Sequence, residues 1–196
     1  MSVTRERIME LGEKLILEKG VNAFSYQDIS SELGIKNAAI HYYFPAKANL
    51  GTSIIKNNIQ RFEEMIDNMN IRKFNEWEQL ESFIQVYSKS NRERKVCLIG
   101  SLGPDYNTLP DASQKELEHM TRLIKEWLTS ILKNGREKNL FAFRGDPENR
   151  ALIILSNMVA SLLLARIMDK NVFREIRQTL LDDLKPHKSL NLTPQH

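Results

Sequence analysis

A chain of 196 residues with 41 % hydrophobic and 27 % charged side chains suits one compact globule, or a small module joined to a larger domain. Twenty-eight Lys plus Arg against twenty-five Asp plus Glu leave a formal charge of only +3, which excludes a histone-like polycation and an acidic disordered tail. Any affinity for nucleic acid has to come from local charge, and the single cysteine, Cys97, excludes an intrachain disulfide and points to a reduced, cytoplasmic protein.

Prolines fall between apolar-periodic stretches and no run alternates with a period of two, so the chain reads as all-α. Ile8, Leu11, Leu15 and Ile16 share one face of a first helix over 4–19, with Thr4 as cap and Gly20 free to take a left-handed stop. Ser25, followed three residues later by Asp28, has the form of a capping box. The short second helix it opens turns Ile29 and Leu33 inward. Gly34 permits a tight turn, and a third helix starts at Asn37 and runs until Pro45 stops it. Two short helices joined by a glycine turn form a helix-turn-helix.

Helical spacing restarts at Lys47 and continues to about residue 70, then again over 75–89. Gly100, Gly103, Pro104 and Pro110 break the segment 97–110 into a short helix and a loop. Asp111 or Ser113 is placed to cap a long helix to 138, Asp146-Pro147 opens another through 168, and 171–185 makes the last, ahead of a polar, flexible tail over 186–196. The most apolar stretch, 151–168, is interrupted by Ser156, Asn157, Ser161 and Arg166, which argues for a buried helix and against a bilayer span.

The sharpest local feature is charge placement. From Leu33 through Phe62 there is no Asp or Glu, whereas Lys36, His41, Lys47, Lys56 and Arg61 are present, a surface against which a phosphate backbone can lie. A solvated helix with aromatic core residues is the plainer reading of the same composition. The order of residues discriminates further. Ser25-Tyr26-Gln27-Asp28-Ile29-Ser30-Ser31-Glu32-Leu33-Gly34-Ile35, followed by Ala39-Ile40-His41-Tyr42-Tyr43-Phe44-Pro45-Ala46-Lys47-Ala48-Asn49-Leu50, resembles the N-terminal DNA-binding module of TetR-family transcription regulators.

That resemblance covers residues 4–50 closely and implies an N-terminal three-helix helix-turn-helix module over 1–50, followed by a larger helical domain for effector binding and dimerisation over 51–185. It implies that the third helix enters the major groove. Gln27, Lys36, Asn37, Ala38 and His41 match positions that read bases, and Ser25, Tyr26, Tyr42, Tyr43 and Lys47 match positions that hold phosphates. The residue types suit those roles, since Gln and Asn pair with adenine, Lys with guanine, and Ala meets a thymine methyl. Three positions depart from the family pattern: Lys36 replaces a hydroxyl residue, His41 a Tyr and Tyr43 a His. Lys36 cannot accept a capping bond, which leaves Asn37 as the expected cap.

For the larger domain only physical arguments remain. The helix over 151–168 is apolar nearly all round and needs cover on more than one face, so with the last helix it is expected to form a four-helix interface in a homodimer, through Leu155, Val159, Leu162, Leu163, Ile176 and Leu180. Trp77, Phe83, Tyr87, Cys97, Tyr106, Met120, Trp127 and Phe141 are candidates to line a pocket for a small, mostly apolar effector, although each taken singly is more readily explained as core. Arg92, Arg94 and Lys95 are close enough in sequence to favour a Cys97 thiolate; an isolated cysteine more commonly behaves as an inert apolar group.

Four scattered histidines, no cluster with metal-ligand spacing, no phosphate-cradling glycine loop and no nucleophile elbow leave no support for catalysis, a metal or a cofactor. The expected function is that of a cytoplasmic DNA-binding transcription regulator, a repressor released from a palindromic double-stranded operator by its effector. A small-molecule-binding helical protein or enzyme without a DNA function is the alternative.

Overall fold

The computed structural model describes residues 3–186, and every regular element among them is helical. The tail expected from 186 onward lies, apart from Pro186, outside the described residues. The α-helices are α1 (Val3–Lys19), α2 (Tyr26–Leu33), α3 (Asn37–Tyr43), α4 (Lys47–Ile71), α5 (Glu76–Arg92), α6 (Leu98–Leu102), α7 (Asp111–Glu137), α8 (Pro147–Ile167) and α9 (Asn171–Asp182), with 3-10 turns at Val21–Ala23 and Tyr106–Thr108.

Three expected caps are replaced. Thr4 lies inside α1, which already includes Val3. Pro110 occupies the position before α7, where its fixed φ of −58° suits the helix entry. Asp111 therefore becomes the first helical residue, and Ser113 is buried with its hydroxyl 2.7 Å from that of Thr52 on α4. Lys36, not Asn37, precedes α3, and no side chain caps that end.

The C-termini of α2, α4, α5 and α7 share one device. At Gly34 (φ 67°) the chain turns left-handed, and the N–H of Ile35 reaches back to the Ser30 carbonyl. Lys73, Arg94 and Asn139 take the same positive φ after α4, α5 and α7, although none of them is glycine. Each is followed by a backbone bond spanning five residues, such as Lys95 N–H to Ser90 O at 2.9 Å.

Helix α1 packs on α2, α3, α4 and α6, while α4 continues onto α7, and α5, α7, α8 and α9 form the larger bundle. Gly12 permits the close approach of α1 to α4, because a Cβ there would lie 3.0 Å from Leu50 Cδ2. One apolar cluster therefore runs from Ile8, Ile29 and Ile40 through Leu50 and Ile54 to Leu128 and Ile154. The module that resembles a DNA reader shares this core with the rest of the chain.

By length and composition α8 could cross a membrane. It is packed against α5, α6, α7 and α9, with Ala151, Ile154, Leu155, Met158, Ser161 and Leu162 buried. Its other side is exposed: Leu152, Ile153, Leu163, Leu164 and Ile167.

Candidate nucleic-acid interface and effector cavity

The α2–α3 unit is built on an apolar floor. Ile29 and Ile40 are fully buried and Phe44 nearly so, which turns the opposite sides of these short helices outward. The Asp28 carboxylate accepts the Ser25 backbone N–H at 2.6 Å and the Ser25 hydroxyl at 2.7 Å. The hydroxyl bond, followed by the backbone bond, holds the Asp28 carboxyl below its ordinary range and keeps it ionised at the positive end of α2.

Tyr26 is the expected phosphate contact that the structure removes from the surface. It is buried, its hydroxyl donates to the Phe44 carbonyl at 2.9 Å, and its ring meets His41 edge-on at 5.0 Å. Burial pushes the phenol up to about 12, so it remains a donor that ties the start of α2 to the end of α3.

The five expected base-reading residues come together on the exposed side. Gln27, Lys36, Asn37, Ala38 and His41 are all exposed. Asn37 donates its side-chain amide to Gln27 Oε1 at 3.0 Å, and Gln27 in turn donates to the Ser31 hydroxyl at 3.1 Å. This chain of amides crosses from α3 to α2 and fixes the orientation of both groups. His41 Nδ1 lies 3.1 Å from the Pro45 carbonyl, which can only accept, so Nδ1 is the donor of this bond and Nε2 takes no part in it.

Beside this face, Tyr42 is 81 % exposed, and Tyr43, half-buried, meets its ring edge-on at 5.0 Å. Ser25 is exposed at the start of α2. Lys47, the first residue of α4, is half-buried: its ammonium donates to the Phe24 carbonyl and sits 4.3 Å from the centre of the Phe24 ring. Loss of water lowers its pKa. An ammonium has three protons, so the bond to Phe24 leaves two for a phosphate.

The acid-free stretch 33–62 is less positive in space than in sequence. Lys56 pairs with Glu116 on α7 at 3.3 Å and Arg61 pairs with Glu13 on α1. Lys36, His41 and Lys47 stay with the α2–α3 face. Sequence order could not reveal these partners, which come from 60 and 48 positions away.

A cavity of about 500 Å³ opens between α1, α4, α5, α6 and α7. Of the candidates, Phe83, Tyr87, Cys97 and Met120 line it, joined by Leu17, Phe62, Met65, Val86, Leu98, Ile99 and Ile124. Burial pushes both the Tyr87 phenol and the Cys97 thiol up, which favours the protonated groups over a thiolate. The Cys97 sulfur accepts the Gly100 N–H at 3.4 Å. Glu13, Asn58 and Arg61 form a polar cluster in the same wall, with Asn58 donating to Glu13 at 3.0 Å.

The other four pocket candidates lie elsewhere. Trp127 stands behind the wall, edge-on to Phe62 at 5.4 Å, and Tyr106 donates its hydroxyl to Glu118 outside the cavity. Trp77 and Phe141 stack at 5.5 Å beside Gly135, about three turns along α7 from Ile124. Aromatic content does not distinguish core from cavity, which is why the sequence merged the two.

The expected dimer residues also separate. Leu155, Leu162 and Leu180 point into the protomer, Val159 faces Gly100 of α6, Ile176 is half-buried, and Leu163 is exposed. The uncovered stripe instead comprises Leu152, Ile153, Ser156, Ala160, Leu163, Leu164 and Ile167. A groove of about 300 Å³ between α8 and α9 runs along it, lined by Ile153, Asn157, Ile176 and Thr179.

The family model for "Bacterial regulatory proteins, tetR family" matches residues 8–52, which contain the whole α2–α3 unit. The HTH-type transcriptional repressor NemR of Escherichia coli (strain K12) is 23 % identical over 173 residues, covering 84 % of each chain. A TetR-family transcriptional regulator from Agrobacterium tumefaciens superposes with a TM-score of 0.86 at 26 % identity, over 93 % of this chain and 97 % of that one. A TetR transcriptional regulator from Legionella pneumophila is 31 % identical, with a TM-score of 0.83 over 94 % of this chain and 99 % of its own. With the helix-turn-helix match at one end and this likeness along nearly all of its length, the chain belongs to the TetR family of bacterial transcriptional regulators.

Proposed function

We propose that two copies of this chain form a cytoplasmic homodimer that represses transcription from an inverted-repeat operator and is released by a small, mostly apolar effector. Residues 1–50 are the DNA-binding domain and 51–185 the effector-binding and dimerisation domain. The observation that carries the reading is the exposed Asn37–Gln27 amide pair, in which Asn37 donates to Gln27 at 3.0 Å above a floor of Ile29, Ile40 and Phe44. Side-chain amides held in one orientation are suited to the donor and acceptor pattern of an adenine edge.

Gln27, Lys36, Asn37, Ala38 and His41 read bases in this account, and Ser25, Tyr42, Tyr43 and Lys47 hold phosphates. Similarity to the repressor NemR supports repression as the mode of action. The uncovered α8 stripe supports a two-fold partner, since both recognition helices must face half-sites about one helical turn, or a multiple of it, apart. Turnover has no part in this function.

The effector belongs in the cavity of about 500 Å³, a size suited to a small organic molecule. Apolar walls supply burial, and the Tyr87 hydroxyl, the Cys97 thiol and the Asn58 amide supply polar tips. A ligand acts on DNA binding only through its difference in affinity for two protomer arrangements; tenfold loss of operator affinity corresponds to about 1.4 kcal/mol of coupling.

Selection of purified protein on random duplexes at two salt concentrations, followed by sequencing, tests the reading. Recovery of an inverted repeat that is lost at the higher salt is the expected result. Folded, dimeric protein that retains no DNA would overturn it.

A further inference from the structure

The C-terminal end of α1 is held by groups from three other parts of the chain. Its last carbonyls lie at the negative end of its dipole; that of Ile16 already accepts the Gly20 N–H at 2.9 Å, and those beyond it have no partners within the helix. The Ile16 carbonyl accepts the Ser101 hydroxyl of α6 at 2.6 Å, and the Leu17 carbonyl accepts the Val96 N–H at 3.1 Å. Arg166, in the last turn of α8, completes the grip. Its Nη2 lies 2.8 Å from the Glu18 carbonyl, 3.3 Å from that of Leu17 and 3.2 Å from that of Arg94.

Arg166 is out of place by composition. It interrupts an exposed apolar run of Leu163, Leu164, Ile167 and Met168, on the helix whose outer stripe is proposed to meet a second protomer. Its side chain leaves that stripe and crosses to a helix 148 positions earlier. The three carbonyls converge on the one nitrogen, whose two protons are shared among them at the tip of a planar group, whereas the shorter stem of a lysine places its ammonium less far along the same path. Arg94 supports the arrangement by adopting a φ of 57°, uncommon for a residue other than glycine, and supplying the third carbonyl.

We propose that Arg166 is a positioning residue for operator recognition: it pins the end of α1 to the end of α8 and so fixes the half-site spacing that the dimer accepts. The proposal rests on the dimeric operator reading above. Near its middle α1 is packed on α4 through Gly12, and the Arg166 joint fixes its C-terminal end. Held at these two points, α1 and the α2–α3 unit it carries keep one angle to the dimer axis. The segment that contributes Val96 to this joint also forms part of the cavity wall, from Glu93 to Ile99. A molecule that displaces that wall therefore acts on the same carbonyls.

The test uses the full-length protein and a wild-type-selected inverted repeat, synthesised with its spacer unchanged and altered by one or two base pairs in either direction. Wild type should prefer one spacer. Arg166→Gln should bind the preferred duplex about tenfold more weakly and lose discrimination among spacers, with dimer sedimentation and affinity for unrelated duplex unchanged. Arg166→Lys should recover only part of the preference. Ser101→Ala, which removes a neutral bond of the same joint, should shift the profile in the same direction by less and serves if Arg166→Gln does not fold. An Arg166→Gln profile identical to wild type, or an equal loss on every duplex including the unrelated one, would overturn the role of Arg166 alone. Wild type without any inverted-repeat preference would overturn the operator reading and, with it, this proposal.

Discussion

Helices α3 and α8 both present side chains that none of the described residues covers, and the two surfaces have opposite chemistry. On α3 the exposed groups are an amide, an imidazole and a phenol, standing on the buried Ile40. On α8 they are Leu152, Ile153, Leu163, Leu164 and Ile167, opposite an equally apolar buried side. A surface of oriented donors and acceptors selects its partner by pattern, whereas an apolar stripe gains by area removed from water. The first suits a nucleic acid and the second a copy of itself.

The contrast within α8 gives the largest expected effect. Leu155→Arg places an unpaired charge in the protomer core and should cost several kcal/mol, enough to abolish the cooperative melt. Ile153→Arg, two residues away and 47 % exposed, should leave helicity intact and yield a monomer by sedimentation, with the dimer dissociation constant raised at least ~100-fold. A monomer from neither variant, or unfolding in both, would mean that the inner and outer sides of α8 are wrongly assigned.

Next in size is the floor beneath α3. Ile40→Ala should destabilise by about 2–5 kcal/mol through the cavity it leaves. That corresponds to roughly 4–20 °C in the melting temperature of a chain this long, with specific DNA binding lost as the reading face moves. Lys47→Ala has a smaller effect and a different signature. It should weaken binding to every duplex about equally and flatten the slope of log affinity against log salt by about one for each protomer contact removed. An unchanged slope would show that Lys47 serves only to hold the Phe24 carbonyl.

The smallest effect is the cap of α2. Because the Ser25 bonds hold the Asp28 carboxyl below its ordinary value of 3.8, folding favours the ionised form. Its contribution is complete above that value and fades as pH falls through the lower folded pKa. The melting-temperature gap between wild type and Asp28→Asn should therefore be constant near neutrality and narrow below pH ~4.

The same contrast explains what could be read from the sequence. Gly34, Pro45 and Pro147 punctuate the chain strongly enough to bracket α2, α3 and α8 closely. On α3, polar residues at Asn37 and His41 around an apolar Ile40 reveal which side faces out. On α8 apolar residues occur all round, so periodicity carries no direction and does not separate the buried Leu155 and Leu162 from the exposed Leu152 and Leu163. Bonds between distant segments leave no local signal either. Nothing near Tyr26 announces the Phe44 carbonyl, and nothing near Asn37 announces Gln27. The cavity was half legible because Phe83 and Trp127 have the same composition signature while only one of them borders empty space.

The most direct test of the account is to select random duplexes with wild type and Asn37→Ala in parallel and compare the sequences retained. Asn37 is bonded to Gln27 at the centre of the exposed face, so its loss should change base preference at one position in each half-site, symmetrically about the repeat. A wild-type inverted repeat with paired changes in the variant is the predicted result. Identical repeats from both proteins, or a change in only one half-site, would contradict recognition by two copies of α3.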